Sequence, residues 1–463
     1  MRRRLAMTAS LLGLAGCIVG PDYERPKIET PPAWRMSDKA ASAIGNPAWW
    51  EQFSDPTLND LVKTALEENK DLQIATARID RYLGFYATTR AALYPQVGVG
   101  AAAGRERVSE TAGPTPIHGI PDAQPTFNNF QLGLSASWEL DLWGKIRRAT
   151  EAARASLLAT EESRKSVRLT LISSVANSYI TLRDLDKQQE ITRATAKSYE
   201  SIYNIIKLRY DFGWVSAMEK NQAKEQWERA LANIPFFEKA IAQQENSLSV
   251  LLGRNPGSIP RGKSIDEFGV PAVPGGLPSE ILEHRPDIRE AEQNLIAANA
   301  NIGVAKAAYY PSISLTGFFG VQSSELSKLF HGASKVWGFA APISAPIFTG
   351  GAIEGQVQSA EAARQELLIR YQQVIQNAFR EINDSLVDQD RTREQLAALN
   401  RQLDSLREYV RLSWIRFNEG YSSYLEVTTS QTLLYEAELQ RAGVQQVLFQ
   451  AYSNLYRSMG VGG

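Results

Sequence analysis

The stretch "NFQLGLSASWEL", Asn129 to Leu140, decides how this chain is read. Phe130, Leu132, Leu134, Ala136, Trp138 and Leu140 alternate with Gln131, Gly133, Ser135, Ser137 and Glu139. Strict period-two alternation over eleven residues puts all the apolar side chains on one face of a β-strand. A half-buried strand of a soluble sheet carries the same pattern. The length, however, matches a transmembrane strand of about 9–11 residues, which also carries aromatic girdle residues near its ends. Phe130 and Trp138 occupy those places here.

Working outward, the theme returns. "SISLTGFFG" sets Ile313, Leu315 and Phe319 against Ser312, Ser314 and Thr316, and "WGFAAPISAPIF" does the same with Trp337, Phe339, Ala341, Ile343 and Ile347. Phe319 and Trp337 are the matching girdle candidates. "QVGVGAAAG" is a weaker fourth strand, with Val97, Val99, Ala101 and Ala103 on one face. Pro342 and Pro346 remove ladder hydrogen bonds, so the strand that holds them is expected to be bulged or at an edge. The four strands are expected at about 95–105, 129–141, 311–320 and 336–348. Four strands do not close a barrel around a lumen, and an open edge in lipid costs several kcal/mol per unsatisfied backbone group. Membrane strands in this number therefore require several chains to share one barrel.

The chain is written twice. Ala92–Val97 matches Ala308–Ile313, and Asn69–Leu72 matches Arg285–Ile288, both shifted by 216 residues. Arg209–Gly213 matches Arg416–Gly420, and Leu248–Gly253 matches Leu455–Gly460, both shifted by 207. The shift falls by nine because the first copy has a longer loop between its strands. The repeats are read as 56–253 and 280–463, joined by a Pro/Gly-rich connector over 254–279.

Each repeat reads helix, strand, strand, long helix, helix. Lys145 to Tyr210 contains no proline and no glycine; Ala352 to Phe417 contains no proline and only Gly355. At 1.5 Å per residue, each makes a rod about 100 Å long. Their Ala, Leu, Gln, Glu and Arg favour helix, and helices of this length without a dense apolar face supercoil with neighbours. An ordinary coiled-coil scaffold would do so too. A short Gly-containing turn and a helix of about 36 residues follow each rod. Gly213 and Gly420 are the expected left-handed residues at the rod ends.

The N-terminus is equally legible. Arg2, Arg3 and Arg4 precede the apolar run Leu5–Leu14, too short to span a bilayer, so 1–16 reads as a secretory signal. Leu14-Ala15-Gly16-Cys17 looks like a lipobox, and Cys17 is the only cysteine of 463 residues. A lone cysteine makes no internal disulfide and no thiolate metal site; here it is read as a lipidation site, its acyl chains contributing about 0.8 kcal/mol per buried CH₂. Residues 17–55 then form an extended, lipidated segment. Ile18 follows Cys17 rather than the aspartate associated with inner-membrane retention, which points to the outer membrane.

Composition removes other classes. Without the leader arginines, 47 basic residues stand against 51 acidic ones, about −4, so no basic excess suggests nucleic acid. The three histidines, His118, His284 and His331, are far apart. No zinc spacing, phosphate loop or G-x-S-x-G is present, so no enzyme, cofactor or metal is expected.

In order and spacing, these features resemble the TolC-type outer membrane efflux proteins, in the lipoprotein branch called NodT or OprM-like. The carrying residues are Cys17 with Gly20-Pro21-Asp22-Tyr23 and Pro26; Trp49-Trp50-x-x-Phe53-x-Asp55-Pro56-x-Leu58; Asn69-x-Asp71-Leu72; Leu93-Tyr94-Pro95; Asp141-Leu142-Trp143-Gly144; and Arg285-Pro286-Asp287-Ile288 leading to Tyr310-Pro311. The match covers nearly the whole chain. It implies a mainly α fold with a small β part: a homotrimer whose twelve strands form one outer membrane barrel continuous with a helical coiled-coil barrel in the periplasm. It implies the exit duct of a tripartite efflux pump, served by a periplasmic adaptor (membrane fusion) protein and an inner-membrane RND transporter. It also implies that the two turns at the rod ends meet the adaptor, through Gly213, Val215, Ser216, Gly420, Ser422, Ser423 and Leu425. Relatives close the tunnel on the second rod just before its turn. Val410, Arg411 and Trp414 stand there in this chain, and Trp414 replaces a carboxylate common in relatives. Trp414 is read either as an apolar plug or as a seam residue of the coiled coil. An exit duct for protein secretion and a pore-free, lipid-anchored coiled-coil protein are the competing readings.

Overall fold

The computed structural model describes residues 18–29, 31, 34, 48–109, 126–272 and 281–462. Cys17, the signal 1–16 and most of the loop between the first two strands lie outside the described residues. The helices are α1 (Pro56–Glu68), α2 (Lys70–Ala91), α3 (Lys145–Asp211), α4 (Ala217–Leu251), α5 (Ile281–His284), α6 (Pro286–Ala307), α7 (Ala352–Asn418) and α8 (Tyr424–Ser458). The strands are β1 (Gln96–Arg107), β2 (Thr126–Glu139), β3 (Ser312–Ser323), β4 (Lys335–Ala340) and β5 (Ile343–Ser344). Both rods are 67 residues long and both return helices 35. The order α2-β1-β2-α3-α4 is thus repeated as α6-β3-β4-α7-α8.

The chain divides into two compact units. Among the described residues, one holds 18–26, 79–159 and 291–370. Its centre is an antiparallel sheet in the order β1-β2-β3-β4, with β5 also paired to β3. The expected fourth strand over 336–348 is two pieces. Pro342, which has no N–H to give the ladder, falls between them, though its carbonyl still accepts from Ser314 N at 3.2 Å. Directly opposed residues share a face, so the register aligns Val99 with Leu134, Leu134 with Phe319, and Phe319 with Trp337. This apolar row is exposed among the described residues: Val99 is 73% exposed, Phe319 63% and Trp337 69%. The other face pairs Gln131 with Gln322 and Ser137 with Thr316. Phe318 breaks that polar face and lies over Gly133, where a Cβ would meet its ring at 2.4 Å.

The segment after residue 17 is bound to this unit. Val19 N donates to Trp143 O at 3.0 Å, and buried Arg148 donates to Val19 O, Gly20 O and Asp22 Oδ1, the last at 2.7 Å. Gly20 has φ +101° and lies so close to Gly303 that a Cβ would stand 2.4 Å from its Cα, a place only glycine fills.

The other unit holds residues 27–78, 160–290 and 371–463. Its aromatic core joins Phe53, Tyr179, Phe268 and Phe449, with Trp49 stacked on Tyr456 at 5.2 Å. The connector is fastened to it. Buried Asp55 accepts from Tyr179 OH at 2.9 Å and from Lys263 N at 3.1 Å. Arg261 bridges Asp186 and Glu245, and Asp266 receives both Lys187 and Arg441.

Candidate functional site: the two turns at the rod ends

Both rods end in the same backbone motif. Trp214 N donates to Arg209 O at 2.8 Å and Gly213 N to Tyr210 O at 2.9 Å; Tyr421 N donates to Arg416 O at 2.8 Å and Gly420 N to Phe417 O at 3.1 Å. These are paired 6→1 and 5→2 bonds closed by a left-handed residue. Gly213 has φ 74° and Gly420 φ 79°, which is why glycine occupies both positions.

The helices that follow start differently. Ser216 and Glu219 form a capping box: Ser216 N donates to Glu219 Oε2 at 2.6 Å, and Glu219 N to Ser216 Oγ. Ser423 stands at the matching position and makes no side-chain cap bond. Arg209 ties the turns together, donating to Asn418 Oδ1 at 2.9 Å and lying 5.3 Å from the centre of the Phe417 ring.

Beneath the turns lies an apolar cluster of Ala196, Tyr199, Ile202 and Ile206 from α3, Ala223 and Ala230 from α4, Phe417 from α7, and Tyr424 and Val427 from α8. Tyr203, Val215, Trp227, Ile234 and Trp414 pack against it half-buried. Burial pushes the Tyr424 phenol up to about 12.

Of the residues expected to meet a partner, Gly213, Ser216, Gly420, Ser423 and Leu425 are exposed, while Val215 and Ser422 are half-buried. Of the expected gate, Arg411 is exposed and paired with Glu408 at 2.6 Å. Val410 is half-buried, and its carbonyl accepts from Ser413 Oγ at 3.0 Å. Trp414 is half-buried, edge-on to Phe417 at 6.0 Å and to Tyr424 at 6.4 Å. Sequence reasoning missed Phe212 and Trp214, 64% and 75% exposed with ring centres 5.7 Å apart, and Tyr421 at 79%. Their signal was present: aromatics flanking a turn glycine have no core to enter. The expected girdle residues Phe130, Trp138, Phe319 and Trp337 all fall on one face of the sheet. Among the described residues, no group of three His, Cys, Asp or Glu is placed to hold a metal ion.

Two long rods, each turned back at a glycine into a return helix, and an antiparallel sheet with an exposed apolar row define a TolC-like channel protomer. The chain belongs to the outer membrane efflux protein family, whose profile matches residues 61–254 and again 277–461. It is 35% identical over 465 residues to the probable efflux pump outer membrane protein TtgC of Pseudomonas putida, covering 99% of this chain and 95% of the relative. It is 34% identical to the cation efflux system protein CusC of Escherichia coli O157:H7, covering 92% and 91%. The crystal structure of the open state of the Neisseria gonorrhoeae MtrE outer membrane channel is similar with a TM-score of 0.85 and 31% identity, covering 96% of this chain and 98% of that one. As a family member this chain is an outer membrane efflux protein; the family is one of ducts, not of enzymes.

Proposed function

We propose that three copies of this chain form a passive exit duct in the outer membrane for small molecules delivered by a tripartite pump. The observation that carries this reading is the bare apolar row Val99–Leu134–Phe319–Trp337. Water penalises such a surface, whereas hydrocarbon accepts it. Lipid, however, does not accept the edge strands β1 and β4, whose outer backbone groups need partners. Further copies supply those partners, edge to edge, and twelve strands close the barrel. Phe130 and Trp138, at the two ends of the β2 pairing, then stand toward the membrane boundaries, whereas the register puts the other two girdle candidates, Phe319 and Trp337, in the row midway between them; acyl chains on Cys17 add the anchor.

The two turns are the docking end for a periplasmic adaptor, which links the duct to an inner-membrane RND transporter. Gly213, Val215, Ser216, Gly420, Ser422, Ser423 and Leu425 form that surface. Val410, Arg411 and Trp414 form the gate, opened when adaptor binding favours an untwisted arrangement of the tips. Removal of Trp414 (Trp414→Ala) then admits vancomycin to cells that otherwise exclude it; unchanged susceptibility at normal expression retires the gate assignment.

The main test is a photo-crosslinker at Ser423 in living cells. Capture of an adaptor encoded beside a drug transporter supports the proposal. Capture of an adaptor of an ATP-driven protein exporter replaces the cargo with protein. Silence at Ser423, together with purified protein that gives no single-channel conductance, leaves the pore-free scaffold.

A further inference from the structure

One face of α3 carries Asn177, Thr181, Asp184, Gln188 and Thr192, spaced as a coiled-coil seam is spaced. All five are half-buried or buried, and four of them are uncharged polar residues with ready partners. Asn177 Nδ2 donates to Asn454 Oδ1 at 3.1 Å. Gln446 and Gln450 both donate to Thr181 Oγ1, at 2.8 and 2.9 Å. Thr192 Oγ1 meets Tyr435 OH at 3.0 Å. These are rungs between α3 and α8.

Asp184 is the exception. It is 2% exposed. Its Oδ2 accepts from Gln188 Nε2 at 2.6 Å, and its Oδ1 has no partner. Between Gln446 and Tyr435, where the rungs on either side place the opposite helix, α8 carries Gly443, and apart from the local backbone of α8 no atom stands within 4 Å of where its Cβ would be.

The charged groups on the surrounding turns satisfy one another. On α3, Arg183 pairs with Asp186, and Lys187 with Glu190 and with Asp266 of the connector. The connector's Arg261 takes Asp186 and, on α4, Glu245. On α8, Arg441 takes Asp266, and Glu438 faces Arg407 of α7 at 3.8 Å. None of these cations is paired with Asp184. A buried carboxylate with one donor and no counter-charge favours its neutral form, and burial pushes Asp184 up to about 6.

We propose that Asp184 is a proton-binding site inside the α3–α8 seam, and that its ionisation loosens the contact between the two helices. With the proton on, the seam is a neutral polar ladder. When the proton leaves to bulk water, Oδ1 and Oδ2 carry a charge that calls for solvation, and the open space at Gly443 is where water enters. Because α3 belongs to the first repeat and α8 to the second, the proton controls how firmly one repeat holds the other. This goes beyond the duct reading and does not depend on what the duct carries.

The test is hydrogen exchange of the purified full-length protein from about pH 4 to about pH 8, corrected for the intrinsic exchange rate. For peptides covering 177–192 and 435–454, opening rises between about pH 4 and about pH 6 by up to about tenfold per pH unit and levels off above that, while the pH profile of the cluster at 196–206 stays flat. Asp184→Asn flattens the 177–192 profile. Infrared difference spectroscopy, assigned with the same variant, follows the carboxyl itself. Gly443→Ala, which fills the gap without a clash, moves the midpoint of that titration upward. A 177–192 profile unchanged by Asp184→Asn, or an Asp184 carboxyl that titrates in the ordinary carboxylate range, overturns the proposal. So does a midpoint that Gly443→Ala leaves in place.

Discussion

Helix α3 presents one seam made in two ways. From Asn177 to Thr192 it meets α8 through amides, hydroxyls and one buried carboxyl; from Ala196 to Ile206 it meets α4, α7 and α8 through alanine, isoleucine and tyrosine. Burial of apolar area is non-directional, so the second part stabilises cheaply and holds tightly. Side-chain hydrogen bonds exchange for bonds to water and contribute only about 0.5–1.5 kcal/mol each, but they dictate which residue meets which. Thr181 shows the consequence, since Gln446 and Gln450, one turn apart, both reach its hydroxyl. The apolar part is a clamp, and the polar part a joint that tolerates a change of partner.

Substitutions can break that contrast. The largest effect is expected at Tyr424, fully buried in the clamp. Tyr424→Ala costs about 3–5 kcal/mol, the usual range for truncating a buried aromatic; urea unfolding that shows less than about 1 kcal/mol removes the distinction.

Next comes a change of opposite sign in the joint. Asp184 has its carboxyl raised in the folded chain, so between about pH 4 and about pH 6 the folded state binds the proton that the unfolded state has released. Its contribution to stability is present below the unfolded value and is lost as pH rises through the folded one. Asp184→Asn removes that loss and stabilises the protein by about 2 kcal/mol near neutral pH, with little change near pH 4. Equilibrium unfolding at the two pH values measures it.

Smaller effects sharpen a second contrast, between the two turns. Ser216→Ala destroys a capping box and costs about 1 kcal/mol. Ser423→Ala removes no side-chain cap bond and changes stability by less than about 0.5 kcal/mol. Equal losses in thermal melts would mean that the turns are alike in solution. Thr192→Val in the joint also costs little, below about 1 kcal/mol, because Tyr435 OH keeps the donor of Asn233 at 3.3 Å.

Much of this was legible beforehand, for reasons that differ by element. The rods were readable because a 66-residue stretch free of proline and nearly free of glycine has no local reason to stop. Their ends were readable because a left-handed residue closes them, and glycine adopts that conformation most cheaply. The break between β4 and β5 was signalled by Pro342, although not its place in the ladder. Phe318 was not assigned to the polar face, since alternation alone does not reveal that Gly133 leaves room for its ring. Trp414 carries no sign of the aromatic pair it packs against, because Tyr424 lies across the turn from Phe417. The polar stripe of α3 reads as solvated surface until α8 is laid against it.

The sequence by itself determined the repeat, the helix lengths, the turn positions and the alternating strands. Each follows from local chemistry: a period, a missing Cβ, a missing N–H. Tertiary structure alone decided that β2 pairs with β3 across the two repeats, that Asn177 and Thr181 find Asn454 and Gln450, and that Asp184 is left without a counter-charge. Those pairings join residues 175 or more apart in the chain, and no local preference encodes a partner that only packing brings near.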